Sequence, residues 1–124
     1  MSDVKHNAMT APREADEECH KIYQFVKKAV LDEIHRINRE DDRHGLHEMD
    51  KLKHITEYTP VLYATEDVAF GRNYFAKIHL GDQKYVHARA HKSYDGEVIT
   101  FYSLLTTPEC AIWDKDTPLE YFID

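Results

Sequence analysis

An α+β domain, one long helix packed across an antiparallel sheet of four to five strands, is predicted by three features of this sequence. Apolar residues recur at three- and four-residue steps in one early stretch. From His54 onward the apolar period changes to two. Glycine-bearing hairpin signals then punctuate the chain at Gly81-Asp82 and Asp95-Gly96.

The helix starts at about Asp16. Ile22, Phe25, Val26, Ala29, Val30, Ile34 and Ile37 form its apolar stripe, with Lys27, Lys28, Asp32, Glu33 and Arg36 off it. Acidic residues at 16 to 18 suit the positive end of the helix dipole. The pattern fades at Asn38, and Gly45 is a stop signal. A helix this one-sided must lie on something flat. Ahead of it, residues 1 to about 14 are polar and aperiodic, with Pro12, and read as a flexible N-terminal arm. Behind it, Arg39 to Lys53 is nearly all charge and histidine, either a frayed continuation of the helix or a surface insertion.

Strands are predicted over 57–66, 72–80, 84–92, 97–105 and about 110–122. In the third, Val86, Ala88 and Ala90 point one way and Tyr85, His87, Arg89 and His91 the other. In the second, Tyr74, Ala76, Ile78 and Leu80 alternate with Phe75, Lys77 and His79. One face is small and apolar, suited to a closely packed helix. The other is polar and is expected to be solvated, as antiparallel sheets allow.

At 124 residues the chain is one domain, large enough for a real core. Sixteen basic against 23 acidic side chains leave 16 − 23 = −7. That balance repels phosphate backbones and anionic lipid, so neither nucleic acid nor membrane is an expected partner. The N-terminal residues lack the apolar core of a signal peptide, and the two cysteines, Cys19 and Cys110, suit reduced thiols in apolar space. A cytoplasmic protein is the expectation.

Catalytic chemistry has little to stand on. The nine histidines include His44 and His47 three apart, with no HExxH or CxxC beside them. His87 and His91 would sit about 13 Å apart along a strand, too far to share an ion. Solvated histidines are the preferred reading over a bound metal. Cys19 near the helix start could be an acidified redox thiol, although a packed thiol is favoured. The glycines at 45, 71, 81 and 96 are isolated, so no phosphate loop forms, and Glu40-Asp41-Asp42 reads as a solvated face. The expectation is a protein without catalytic residues, cofactor or metal.

The stretch Asp67-Val68-Ala69-Phe70-Gly71-Arg72-Asn73-Tyr74-Phe75 is a turn that opens into a strand. Turns are usually Gly, Asn, Asp or Ser, yet this one carries Val68, Ala69 and Phe70. An apolar tip that cannot reach its own core is best explained by a partner. Downstream come Ala76-Lys77-Ile78-His79-Leu80-Gly81-Asp82, then Tyr85-Val86-His87-Ala88-Arg89-Ala90-His91-Lys92-Ser93, and a closing Leu119-Glu120-Tyr121-Phe122. From about residue 58 to the end this resembles the stefins, the type 1 cystatins. Their pattern is Gln-Val-Val-Ala-Gly, Thr-Asn-Tyr-Phe or Thr-Asn-Tyr-Tyr, a Lys-bearing strand, Gly-Asp, a His-bearing strand and a closing Leu-Thr-x-Phe. The stretch at about 39–55 looks like an insertion within a cystatin-like domain spanning 15–124.

The resemblance implies a reversible inhibitor of papain-like, cathepsin-like cysteine proteases. Stefins insert a wedge, made of the N-terminal arm and two hairpin loops, into the active-site cleft. Carried over, the first loop is Asp67, Val68, Ala69, Phe70 and Gly71, with Asp67 for the family's Gln and Phe70 for its Ala. The second falls at Ser93-Tyr94-Asp95-Gly96, where Tyr94 stands in for Leu-Pro, alongside Asp95 and Gly96. The arm lacks the family's glycine, and Asn7 or Thr10 occupies its place. Stefins also exchange segments between copies, so a domain-swapped homodimer that buries the first loop is an expected alternative form. The competing hypotheses are a non-inhibitory interaction module using the 39–53 stretch and the histidine-bearing sheet face, and, more weakly, a metal-responsive protein.

Overall fold

The computed structural model describes residues 9–44 (backbone only over 38–44), 55–81, 83–96, 98–106 and 112–122. Two helices lie on a five-stranded antiparallel sheet, an α+β architecture. Helix α1 spans Glu17–Phe25, and Asp16 caps it by accepting the Cys19 N–H at 3.1 Å. That bond, the largest influence on the group, holds the Asp16 carboxyl below its usual range. Helix α2 spans Lys27–His44.

The predicted single helix is interrupted at Val26, and α2 runs past Asn38 to His44, which is the continuation given as one of the two readings of that stretch. The interruption is the single residue Val26, at φ −96° and ψ 10°. Val26 N–H still reaches the Ile22 carbonyl at 3.2 Å, and Val30 N–H the Val26 carbonyl at 3.0 Å. The stripe Ile22, Val26, Val30 and Ile34 stays continuous and buried across it. Past Asn38 no apolar partner is needed, because extending a formed helix adds one hydrogen bond for each residue ordered.

The strands are β1 Arg13–Glu14, β2 Thr59–Val68, β3 Gly71–Gly81, β4 Lys84–Ser93 and β5 Ile99–Leu104. They lie in the order β1-β2-β3-β4-β5, each antiparallel to the next. The middle strands agree with the predicted ones. The strand predicted over 110–122 does not form in its described part, where Trp113 alone makes an isolated bridge to Tyr85. A turn breaks the extended chain there, with the Asp116 and Thr117 N–H groups donating to Asp114 Oδ1 at 3.0 and 2.9 Å. The fifth strand is β1, from the stretch read as an arm. Two residues are too few to display a period, so alternation could not reveal it.

Between the helices and the sheet, Cys19, Ile22, Tyr23, Val26, Val30 and Ile34 pack on Tyr63, Tyr74, Ala76, Ile78, Val86, Ala88 and Ala90. The alanines keep the sheet surface low enough for close helix approach. At the centre, the buried Tyr23 hydroxyl donates toward the Tyr74 and Ala88 carbonyls at 2.6 and 3.1 Å. Tyr23→Phe is expected to cost about 1 kcal/mol in urea denaturation, the net worth of one such bond.

The opposite face departs from expectation. It is covered by the C-terminal segment 112–122, which leaves Phe75 and His87 wholly buried and Lys77 only 1 % exposed. Lys77 Nζ donates to the Lys115 and Thr117 carbonyls at 2.9 and 2.6 Å, and Arg89 to the Phe122 carbonyl at 3.1 Å. Leu119 and Phe122 pack on Phe75. A segment without regular ladder bonds has carbonyls to spare, and long cationic side chains can bury their stems while reaching those carbonyls.

Candidate functional site

Strands β2 and β3 meet in a two-residue turn, Ala69-Phe70, with Val68 paired to Gly71. Gly71 has φ 154°, and a Cβ there would lie 2.1 Å from the Lys92 carbonyl oxygen. Neighbouring β4 runs so close behind the tip that only glycine fits. With its base against β4, the turn throws Phe70 outward, 82 % exposed, while Ala69 is exposed and Val68 half-buried.

Asp67 and Arg72 face each other across the hairpin and pair at 2.7 Å. Arg72 also lies 3.6 Å from Glu18, to which the Tyr74 hydroxyl donates. The Asp67 hydrogen bond raises the Arg72 guanidinium further above its ordinary value. Asp67 thus carries a charge already matched by its own strand partner.

The second tip lies beside the first because Gly71 pairs with Ser93. It is organised around Ser93, whose hydroxyl donates to Asp95 at 2.6 Å and accepts from Val98 N–H at 3.1 Å. Gly96 N–H closes the turn onto the Ser93 carbonyl at 2.9 Å, with φ 77° at Gly96. Tyr94 projects from it, 73 % exposed, and Val98 is 56 % exposed at its far side. A groove of about 230 Å³ separates the tips, bounded by Glu18, Asp67, Arg72, Tyr74, Lys92 and Tyr94 among others.

Thr10 holds the described end of the arm on β2: its N–H donates to the Thr65 carbonyl at 2.8 Å, and its hydroxyl accepts from Thr65 N–H at 3.1 Å. Read toward its N-terminus, the antiparallel β1 heads for the end of β2 that carries the Phe70 turn. Asn7 lies outside the described residues. Thr10, Asp67, Val68, Ala69, Phe70, Gly71, Tyr94, Asp95 and Gly96 therefore belong to one end of the sheet.

Val98 was not among the sequence candidates. Of the five exposed large apolar side chains among the described residues, Phe70, Tyr94 and Val98 share this end. Arg72 was also missed, although opposite charges flanking a two-residue turn are a readable cross-strand signal.

Other chemistries find less support. Cys19 is wholly buried, and burial first, then the charges of Asp16 and Glu18, push its thiol up to about 12, which corrects the redox alternative. His87 is a buried histidine rather than a solvated one. Among the described residues no three His, Cys, Asp or Glu side chains come together as a metal site, and no helix is long and apolar enough to cross a membrane. Cys110 lies outside the described residues. No family model matches the chain, and no curated protein matches it.

Proposed function

We propose that this protein is a reversible inhibitor of papain-like cysteine proteases, acting in the cytoplasm through a cystatin-like wedge. The observation that carries the proposal is Phe70, 82 % exposed on a two-residue turn beside the exposed Tyr94 and Val98. Apolar side chains gathered at one end of a sheet mark a surface that another molecule covers. The stefin-like residues Gly71 to Phe75 support the same reading, and the helix-on-sheet architecture is compatible with it.

In this proposal the two tips enter the protease cleft together, and the arm lies along it. Each large side chain contributes about 1.5–3 kcal/mol when fully desolvated. The closed turn at Ala69-Phe70 and the Ser93-centred second turn are already formed, so little ordering entropy is lost on binding. Both tips offer turns rather than extended backbone, so no peptide bond is set beside the catalytic cysteine. A phenyl ring at position 70, where stefins carry alanine, selects for clefts with apolar room at their floor.

Titration of papain and a cathepsin-like enzyme with the purified protein tests the proposal. Inhibition at or below micromolar concentration is expected, and its absence would remove the inhibitor assignment while leaving the fold intact. Val68→Asp with Phe70→Asp should weaken binding about 100-fold or more, the loss of a central apolar anchor. An unchanged inhibition constant would move the site elsewhere. The domain-swapped homodimer belongs to the same proposal: exchange through the β2–β3 hairpin would remove the Phe70 tip from the surface, leaving that form inactive. The interaction-module alternative loses part of its surface, since His87 is covered by the C-terminal segment; residues 45–53 of its other element lie outside the described ones.

A further inference from the structure

Beyond the Thr10–Thr65 bonds, the described part of the arm is fixed to β2 by Arg13, whose guanidinium donates to the Tyr63 hydroxyl at 2.7 Å, and by the short strand β1. Strand β1 pairs through only Arg13 and Glu14, and a two-residue pairing at a sheet edge frays readily. Between Met9 and Glu14 the one large apolar side chain is Met9, because Ala11 and Pro12 are small and exposed. Met9 is half-buried, and it packs on the Phe75, Leu119 and Phe122 cluster. Met9, Leu119, Glu120 and Tyr121 together bound one surface depression.

The C-terminal segment is in turn fastened to the centre of the sheet. Arg89 donates to the Phe122 carbonyl at 3.1 Å, and the Phe75 ring meets Phe122 edge-on at 5.7 Å and Tyr121 at 5.4 Å between centroids. Arm and C-terminus, at opposite ends of the chain, thus share one small apolar cluster on the sheet face away from the helices.

We propose that Leu119 and Phe122 are positioning residues for the N-terminal arm: they clamp Met9 and so hold Thr10 on β2, aimed at the Phe70 end of the sheet. The functional half of this proposal rests on the protease-inhibitor reading above. The clamp itself does not. Loss of the clamp leaves both hairpin tips unaltered, because their turn hydrogen bonds and pairings involve only residues 67–72 and 93–98, none of which belongs to the Phe75, Leu119 and Phe122 cluster.

The experiment uses full-length Leu119→Ala and Phe122→Ala, with Phe122→Leu as the conservative variant. Amide hydrogen exchange is read at Thr10 and Thr65, whose N–H groups make the arm's bonds. Exchange there should accelerate at least about tenfold in the alanine variants while the amides joining β3 to β4 keep their protection, and Phe122→Leu should restore it. Unchanged exchange at Thr10 and Thr65 would overturn the clamp whether or not the protein inhibits any protease. For the functional half, Phe122→Ala should weaken papain binding about tenfold in the native chain. It should have no further effect in a Thr10→Pro background, where the arm is already released. An equal loss in both backgrounds would make Phe122 merely structural. Wild-type protein that fails to bind papain-like enzymes would remove the functional half, leaving exchange to decide the clamp.

Discussion

Gly71→Ala will destabilise this protein by about 3 kcal/mol or more, and with it the exposed tip. Two effects add. The residue sits at φ 154°, where a side chain is strained, and its new Cβ would lie 2.1 Å from the Lys92 carbonyl oxygen and 3.0 Å from Ser93 Cα. Both obstacles are backbone in the adjacent strand, so relief requires prising β3 from β4 at the point where Gly71 pairs with Ser93. Gly96→Ala is the informative control. It has φ 77°, but its nearest obstacle is the flexible Lys92 Cε at 3.4 Å, so only the conformational cost of about 1–2 kcal/mol applies. Thermal and urea unfolding of the two variants should separate them by at least about 1 kcal/mol. Equal stabilities would mean that the close approach of β4 does not constrain the tip.

Acid should weaken the fold through His87. Its ring is wholly buried, with neither nitrogen hydrogen-bonded among the described residues. Lys77 on β3 is its cross-strand partner, and Tyr85 and Arg89 flank it on β4. From the C-terminal segment Trp113 lies over it, ring centroids 6.0 Å apart, followed by Asp114, Lys115 and Asp116. Burial first, and then the Lys77 charge, lower its pKa to about 4. An unfolded histidine titrates near 6.5. The unfolded chain therefore takes up this proton before the folded one. The stability associated with neutral His87 is fully present above about pH 6.5, and it is lost progressively as pH falls through about 4. The ceiling is about 3 kcal/mol, from about 1.4 kcal/mol for each pKa unit. Asp114, held below its usual range chiefly by the Thr117 hydroxyl, and Asp16 lose their contributions mostly at lower pH.

Trp113 is the only tryptophan, and it sits on the segment that covers His87, so its fluorescence reports this region directly. Urea titrations from pH 7 to 4 should show wild-type stability falling by about 1–3 kcal/mol more than that of His87→Gln, which has no proton to gain there. Parallel slopes for the two proteins would assign the acid sensitivity to other groups.

The candidate site was largely legible in the sequence because its signal is local. An apolar tip between two strand patterns, with glycine at its base, predicts a hairpin whose apex has no core to enter, and Phe70 and Tyr94 project accordingly. The contributions of Val98 and of the Asp67–Arg72 pair needed the register of three strands, which brings residues 67, 72, 93 and 98 to one end. The arm's attachment was illegible for a different reason. It is made by β1, two residues long, by the Thr10–Thr65 bonds, and by packing of Met9 on a cluster that includes Leu119 and Phe122 from the other end of the sequence.

Periodicity by itself determined that a one-sided helix precedes a meander of hairpins, and which side chains share each strand face, because those depend only on the backbone repeat. Whether a face meets water was decided by the tertiary structure. Lys77, His87 and Arg89 read as solvent-facing by composition, yet the irregular C-terminal segment covers them and offers carbonyl oxygens to Lys77 and Arg89. Alternation records orientation relative to the sheet, and burial is set by whatever distant stretch of chain settles on top of it.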